Sequence, residues 1–223
     1  MSHKKLETLV GLEIACRFLY TALHQPPSEV SVTEFIEEDL FNHWPVDGDE
    51  PLVKSGLVLI KDYLGSHEYD KPRRLLEDFN ALFIGPEALK AAPWASVYLT
   101  EEQLVMTEPT LAVRSFYREF GVEINTGEHE PDDHLGLQLA FISHLLNQAV
   151  NAIEQQQPVE PWLQAIQLFL THHVLTWSGR FLEIMASEAA TGFYQGVAKL
   201  TEGTLKQLAQ TSGAQYQIVR LYR

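Results

Sequence analysis

The stretch DFNALFIGPEALKAAPWASVYL, Asp78 to Leu99, starts as an amphipathic helix and ends as an aromatic loop. Phe79, Leu82, Phe83 and Pro86 follow the i, i+3, i+4, i+7 spacing that places side chains on one helical face. Gly85-Pro86 stops the helix, since proline lacks an amide proton and restricts the residue before it. Pro93-Trp94 and Tyr98 then fall in a loop too apolar for a plain solvent-exposed linker. A rigid apolar shelf beside an irregular aromatic loop suits gripping a peptide better than covalent chemistry. On spacing alone, the same stripe is the ordinary core face of a packed helix.

Further along, Glu130 to His134 reads EPDDH and runs into LGLQLAFISHLLNQAV. Proline is tolerated in a first helical turn, and acids there favour the positive end of the helix dipole. The segment therefore predicts a helix from Pro131 to Ile153, with His134 just inside it. Leu135, Leu139, Ile142, Leu145, Leu146 and Ala149 would form its buried stripe. Asp133 has two readings. It can pair a guanidinium through two parallel hydrogen bonds, or it can satisfy backbone amides. His134 can donate to a peptide carbonyl or orient the neighbouring carboxylate.

Outward from these two segments nearly every periodic run reads as helix. Residues 1–24 hold a first helix ending before His24-Gln25-Pro26-Pro27. Ser31–Phe41, Pro51–Leu64 and Pro72–Ile84 follow. Thr100-Glu101-Glu102-Gln103 has the form of a capping box and predicts a helix start. Pro109–Phe120, Pro161–Val174, Trp177–Ala186 and Thr191–Thr211 complete the set, the last weakened by Gly192, Gly196 and Gly203. A polar loop spans 121–129, Gln155 to Pro158 forms a linker, and 213–223 is a short, aromatic and basic C-terminal tail that can lie extended over the body. Without repeats or a required sheet, the expected architecture is all-α, one domain over 1–223 with nine or ten helices.

Composition narrows the partners. The chain of 223 residues carries 16 basic and 30 acidic side chains, a net charge of −14. Such a surface repels nucleic acid and anionic membranes and favours a cationic partner. The single cysteine, Cys16, excludes an internal disulfide and a cysteine metal cluster, and its apolar helix predicts burial. Glu7 and Glu13 interrupt what would be a secretory core, and no run approaches the ~18 apolar residues of a membrane span. A cytoplasmic protein without stable membrane insertion is expected.

Taken together and in order, FNALFIGP, APWASVYL and EPDDHLG resemble the TorD/DmsD family. Its members are chaperones for redox enzymes exported through the twin-arginine pathway. The likeness is to its DmsD branch, which serves dimethyl-sulfoxide-reductase-type molybdoenzymes, and it covers nearly the whole chain. It implies the all-α TorD/DmsD fold and a role in holding a molybdoenzyme's twin-arginine leader from export until folding and cofactor insertion. It also implies a leader-binding set of Phe79, Leu82, Phe83, Pro86, Pro93, Trp94, Glu130, Asp133 and His134, with Ser96 and Tyr98 weaker candidates. Phe79 stands where the nearest relatives carry tryptophan. Trp177-Ser178-Gly179-Arg180-Phe181 resembles a later signature, with Thr176 in place of the usual proline. Trp177 and Arg180 read as packing residues with an ion pair.

Implied partners are the leader of a molybdoenzyme catalytic subunit and components of the twin-arginine translocase. No resident cofactor and no catalytic residue are expected, and the chain is read as a monomer, with segment exchange between two copies as the alternative. Two other functions stay open. One is an assembly factor that binds the client's folded body. The other is a metal-dependent hydrolase using His129, Asp133 and His134. Against the latter, His129 and His134 are five apart and Pro131 intervenes, whereas a zincin needs i and i+4 on one helix. Phosphate-loop, Gly-x-Ser-x-Gly and Rossmann patterns are absent.

Overall fold

Among the described residues, side-chain caps fix five of the ten helix starts. Ser28 accepts from the Ser31 amide ahead of the helix Glu29–Glu37, and Glu50 accepts from the amides of Leu52 and Val53 ahead of the helix that begins at Pro51. Thr191 does the same for Tyr194 at the start of the last helix. The computed structural model describes residues 3–46, 48–124 and 130–223. Among these it holds ten α-helices and no strand.

In order they are α1 (His3–His24), α2 (Glu29–Glu37), α3 (Pro51–Gly65), α4 (Lys71–Phe79), α5 (Ala95–Leu99), α6 (Glu108–Glu119), α7 (Leu135–Glu154), α8 (Glu160–Phe169), α9 (Ser178–Glu188) and α10 (Gly192–Ser212). A short 3-10 turn, Leu40–Asn42, follows α2. Wider π turns extend α4 through Asn80–Ile84 and α8 through Leu170–Val174. Each is closed by an amide bonding five residues back, Gly85 to Asn80 and Leu175 to Leu170, both at 2.9 Å.

Two helix pairs make the frame: α1 lies along α7, and α3 along α10. Helix α10 also meets α1, α4, α8 and α9, so it ties the frame together. Its glycines, unfavourable for helix formation, are required by that contact. A Cβ on Gly196 would sit 2.6 Å from the Gly56 carbonyl oxygen and 2.5 Å from Ile60 Cγ1, and one on Gly203 2.6 Å from Val53 Cγ2. Beyond Ser212, Gly213 takes the left-handed conformation that ends the helix.

Two expected helix starts are overturned. Thr100–Gln103 is a turn after α5, with Gln103 at φ 53°, and α6 begins only at Glu108. Glu130 to Asp133 is also outside α7, because tertiary hydrogen bonds claim these residues and His134 is the cap. Cys16 is fully buried, and burial raises its thiol well above the usual range. No helix among the described residues is long and apolar enough to cross a membrane.

Candidate functional site

The two motif segments meet. Trp94 and His134 face each other in an isolated antiparallel bridge. The Leu135 amide donates to the Pro93 carbonyl at 2.8 Å, and the Ala95 amide to the Asp133 carbonyl at 3.2 Å. A clip results, with the entrance of α5 on one side and the entrance of α7 on the other.

Asp133 locks the clip from inside. It is fully buried; one carboxylate oxygen accepts from the Ser96 amide at 2.7 Å and the other from the Thr110 hydroxyl at 2.8 Å. One side chain thereby joins α5, α6 and α7, and the Gln138 side-chain amide adds a bond to the Asp133 carbonyl at 3.0 Å. Beside it, Asp132 accepts from Arg114 at 2.6 Å, and the Tyr117 hydroxyl donates to the Asp132 carbonyl at 3.0 Å. Burial, then the charges of Asp132 and Asp133, push the Tyr117 hydroxyl well above its ordinary pKa. Of the two readings of Asp133, satisfaction of a protein amide is the one this geometry displays.

His134 caps α7: its Nδ1 accepts from the Gly136 amide at 3.0 Å, which places the ring proton of the neutral form on Nε2. Glycine at 136 leaves room for the ring, since a Cβ there would press on His134 Nδ1 at 3.0 Å and on the Tyr20 carbonyl oxygen at 3.3 Å. Burial, with His24 as the second cause, pushes the His134 pKa down to about 3. The ring meets His24 and Trp94 edge to face, at 5.7 and 6.1 Å between centroids.

On the outer side of the clip, half-buried Trp94 donates its indole N–H to half-buried Glu130. Pro93 beside it is buried.

Phe79, Leu82 and Phe83 lie at the other end of the same loop. All three are buried, at 3%, 0% and 3% exposure, and the two rings pack on each other and on Tyr194. The π turn ends the stripe with Ile84 turned out to solvent, 64% exposed, and Pro86 is exposed beyond it. A depression of about 380 Å³ opens there, lined among others by Asn80, Ala81, Pro86, Glu87 and Ala88. The loop then returns, with the Ala91 amide donating to the Leu82 carbonyl at 3.0 Å.

A family model described as the nitrate reductase delta subunit matches residues 47–183, which include both motif segments. A probable Tat proofreading chaperone DmsD of Haemophilus influenzae is 29% identical over 220 residues, 97% of this chain and 98% of the relative. The Tat proofreading chaperone DmsD of Salmonella typhimurium is 30% identical over 79% of this chain and 76% of its own. Chaperone protein TorD of Vibrio cholerae is 35% identical over 62% of each. The chain belongs to the TorD/DmsD family.

In this TorD/DmsD chain the nine motif residues thus form two groups. Pro93, Trp94, Glu130, Asp133 and His134 share the clip, while Phe79, Leu82 and Phe83 sit at the far end of the 84–92 loop, which itself carries Pro86. The residues that hold the clip closed, Thr110, Arg114, Tyr117 and Gln138, were not singled out by the sequence, because their bonds to the motif carry no local spacing. The later signature is structural: buried Trp177 packs on Tyr98 at 5.3 Å between centroids, and Arg180 pairs with Glu183 at 2.6 Å. Of the hydrolase ligands, His129 lies outside the described residues, while Asp133 and His134 Nδ1 both accept bonds from protein groups. Among the described residues no cluster of three His, Cys, Asp or Glu is placed to hold a metal.

Proposed function

We propose that this chain binds the twin-arginine leader of a molybdopterin-containing reductase of the dimethyl-sulfoxide-reductase type. By holding the leader it delays export until the client has folded and received its cofactor, which places the chaperone in the cytoplasm. The observation that carries the reading is the Trp94–Glu130 pair on the rim of the clip. An indole face and a carboxylate side by side match a guanidinium, which stacks on aromatic rings and pairs with carboxylates. The net charge of −14 would draw a cationic leader toward the protein.

In this reading the residues divide the work. Trp94 and Glu130 contact the leader's arginines. Asp133 and His134 fix the loop that carries Trp94, and Pro93 sets its backbone. Phe79, Leu82 and Phe83 form the rigid floor under Ile84 and Pro86, where the leader's apolar stretch lies. Binding makes and breaks no bond, so no residue is assigned a catalytic role. Contact with the translocase would follow when the leader is handed over.

Titration of the purified protein with a synthetic twin-arginine leader, at low and high salt, tests this. Saturable binding weakened by salt and by replacing both arginines with alanine is the expected result. No saturable leader binding, with a client complex that survives removal of the leader from the folded client, would establish the assembly-factor reading instead.

A further inference from the structure

Residues 214–223, AQYQIVRLYR, carry two arginines and no acid. They leave the end of α10 and run without regular structure back to the loop before Trp94. The strap is fastened chiefly at its ends. At one end the Gln215 amide donates to the Thr171 hydroxyl at 3.1 Å. At the other, the Tyr222 amide donates to the Tyr98 carbonyl at 2.9 Å, and Gln103 donates to the Tyr222 carbonyl. Between these anchors residues 215–220 are all exposed, Ile218 completely. An apolar side chain held in water on a tethered segment contributes nothing to docking that segment, so the strap is held by its ends, with Leu221 packed on the core, and by one side-chain contact between, Gln217 to His172 at 3.4 Å.

The innermost of these is an arginine. Arg223 Nη2 donates to the Leu89 carbonyl at 2.6 Å and to the Lys90 carbonyl at 3.2 Å. Its own carbonyl accepts from Arg180 at 3.4 Å, and the other arginine of the strap, Arg220, lies over the Tyr222 ring at 4.9 Å. A pair of convergent main-chain carbonyls is a cation-binding geometry that reads no side-chain identity, and a guanidinium offers donors to both oxygens at once. The cradle is in the same loop as Trp94, and Lys90 also lines the depression beside Pro86, where exposed Glu87 stands.

Resting on the leader-binding reading, we propose that the Leu89–Lys90 carbonyl pair is an arginine subsite. It is held by Arg223 in the free chain and taken by an arginine of the bound peptide. The strap is thus an internal stand-in of the same basic and apolar chemistry as the ligand. A peptide must displace it, so the measured affinity is the intrinsic one reduced by the fraction of molecules with the subsite open.

The test uses the full chain and the variant Arg223→Ala, with far-ultraviolet circular dichroism to verify equal helicity. Each is titrated with a twin-arginine leader peptide and with the same peptide carrying two alanines. The expected result is about three- to tenfold tighter binding of the arginine peptide by the variant. The alanine peptide should show no such gain. In the unaltered protein, hydrogen exchange at the Tyr222 amide should accelerate on adding the arginine peptide. Equal or weaker affinity in Arg223→Ala overturns the subsite while leaving leader binding intact, and so does a Tyr222 amide that stays protected at saturating peptide. Failure of both proteins to bind any leader overturns the leader reading and the subsite with it.

Discussion

Asp78 and Asp133 are both buried carboxylates that accept from main-chain amides, but they join different kinds of structure. Asp78, on α4, accepts from the amides of Ala190 and Thr191 and from the Thr191 hydroxyl at 2.7–2.9 Å, 112 or 113 residues away. It anchors the start of α10, and the neighbouring Phe79 and Phe83 pack on Tyr194 of the same helix. Asp133 instead fastens a five-residue helix and the loop before it. The same chemistry therefore supports the whole frame in one place and, in the other, the single loop proposed to meet the leader. A buried ionised group stripped of its partners, or partners stripped of it, costs several kcal/mol.

Removal of Asp78 is the harshest way to probe the contrast. Asp78→Ala leaves three donors unsatisfied next to the core and should cost about 4 kcal/mol. Urea unfolding would show this as a lower midpoint at unchanged slope. Asp133→Ala leaves the Ser96 amide and Thr110 hydroxyl unpaired and should cost about 3 kcal/mol. The two variants part on location and function. Asp133→Ala should speed hydrogen exchange at Ser96 and weaken leader binding under conditions where both proteins stay folded, while Asp78→Ala should do neither. Equal leader affinity in the two variants would erase the distinction between frame and loop.

That contrast also marks what the sequence discloses. Helices with a clear apolar stripe, such as α3 from Pro51 and the body of α7, are legible because periodicity and the proline start are local. Both failures at helix starts have one cause. Thr100–Gln103 carries capping-box residues, and Glu130 to Asp133 carries first-turn residues, but neighbours distant in sequence determine their conformation. Gln103 bonds Tyr222, and Asp132 and Asp133 bond Arg114, Thr110 and Ser96. Likewise the glycines of α10 look like helix weakness until α3 is laid against them. The candidate site was legible as motif residues. What stayed hidden was which of them are enclosed, since an amphipathic stripe such as Phe79, Leu82 and Phe83 reads the same in a core or a groove. The anchoring role of Asp78 leaves no mark in the sequence, because a bond spanning 112 residues has no local spacing.

Acid sharpens the comparison because it loosens the clip through His134. Unfolded, the His134 ring titrates near 6.5; folded, burial holds it at about 3. Between those values only the unfolded chain takes the proton, so the contribution is complete above about pH 6.5 and shrinks as pH falls toward 3. By pH 5 the loss is about 2 kcal/mol relative to pH 7.5. Protonation of Nδ1 would also remove the acceptor that caps α7 at the Gly136 amide. His134→Asn keeps a capping oxygen without the titration. Its stability, measured by urea unfolding across pH 5 to 7.5, should therefore fall about 2 kcal/mol less than that of the unaltered protein. Burial also lowers His173, to about 4, and that background is common to both proteins and cancels in the difference. Identical pH dependence would mean that His134 is not held neutral by its surroundings.

The mildest probe separates the rim from the lock. Trp94→Phe keeps an aromatic ring on the bridge to His134 but removes the N–H that meets Glu130. Both partners are half-exposed, so water can replace the lost bond, and stability should change by less than about 1 kcal/mol. Leader affinity should fall several-fold, because the smaller ring offers a weaker face to a guanidinium and Glu130 loses one of its partners. A double-mutant cycle with Glu130→Gln makes the assignment quantitative. If the indole and the carboxylate act on the same arginine, the two substitutions together should cost less affinity than the sum of each alone. Strict additivity would place them on different parts of the peptide. In that case the Trp94 contribution belongs with the leader's apolar stretch, and Glu130 alone selects its charge.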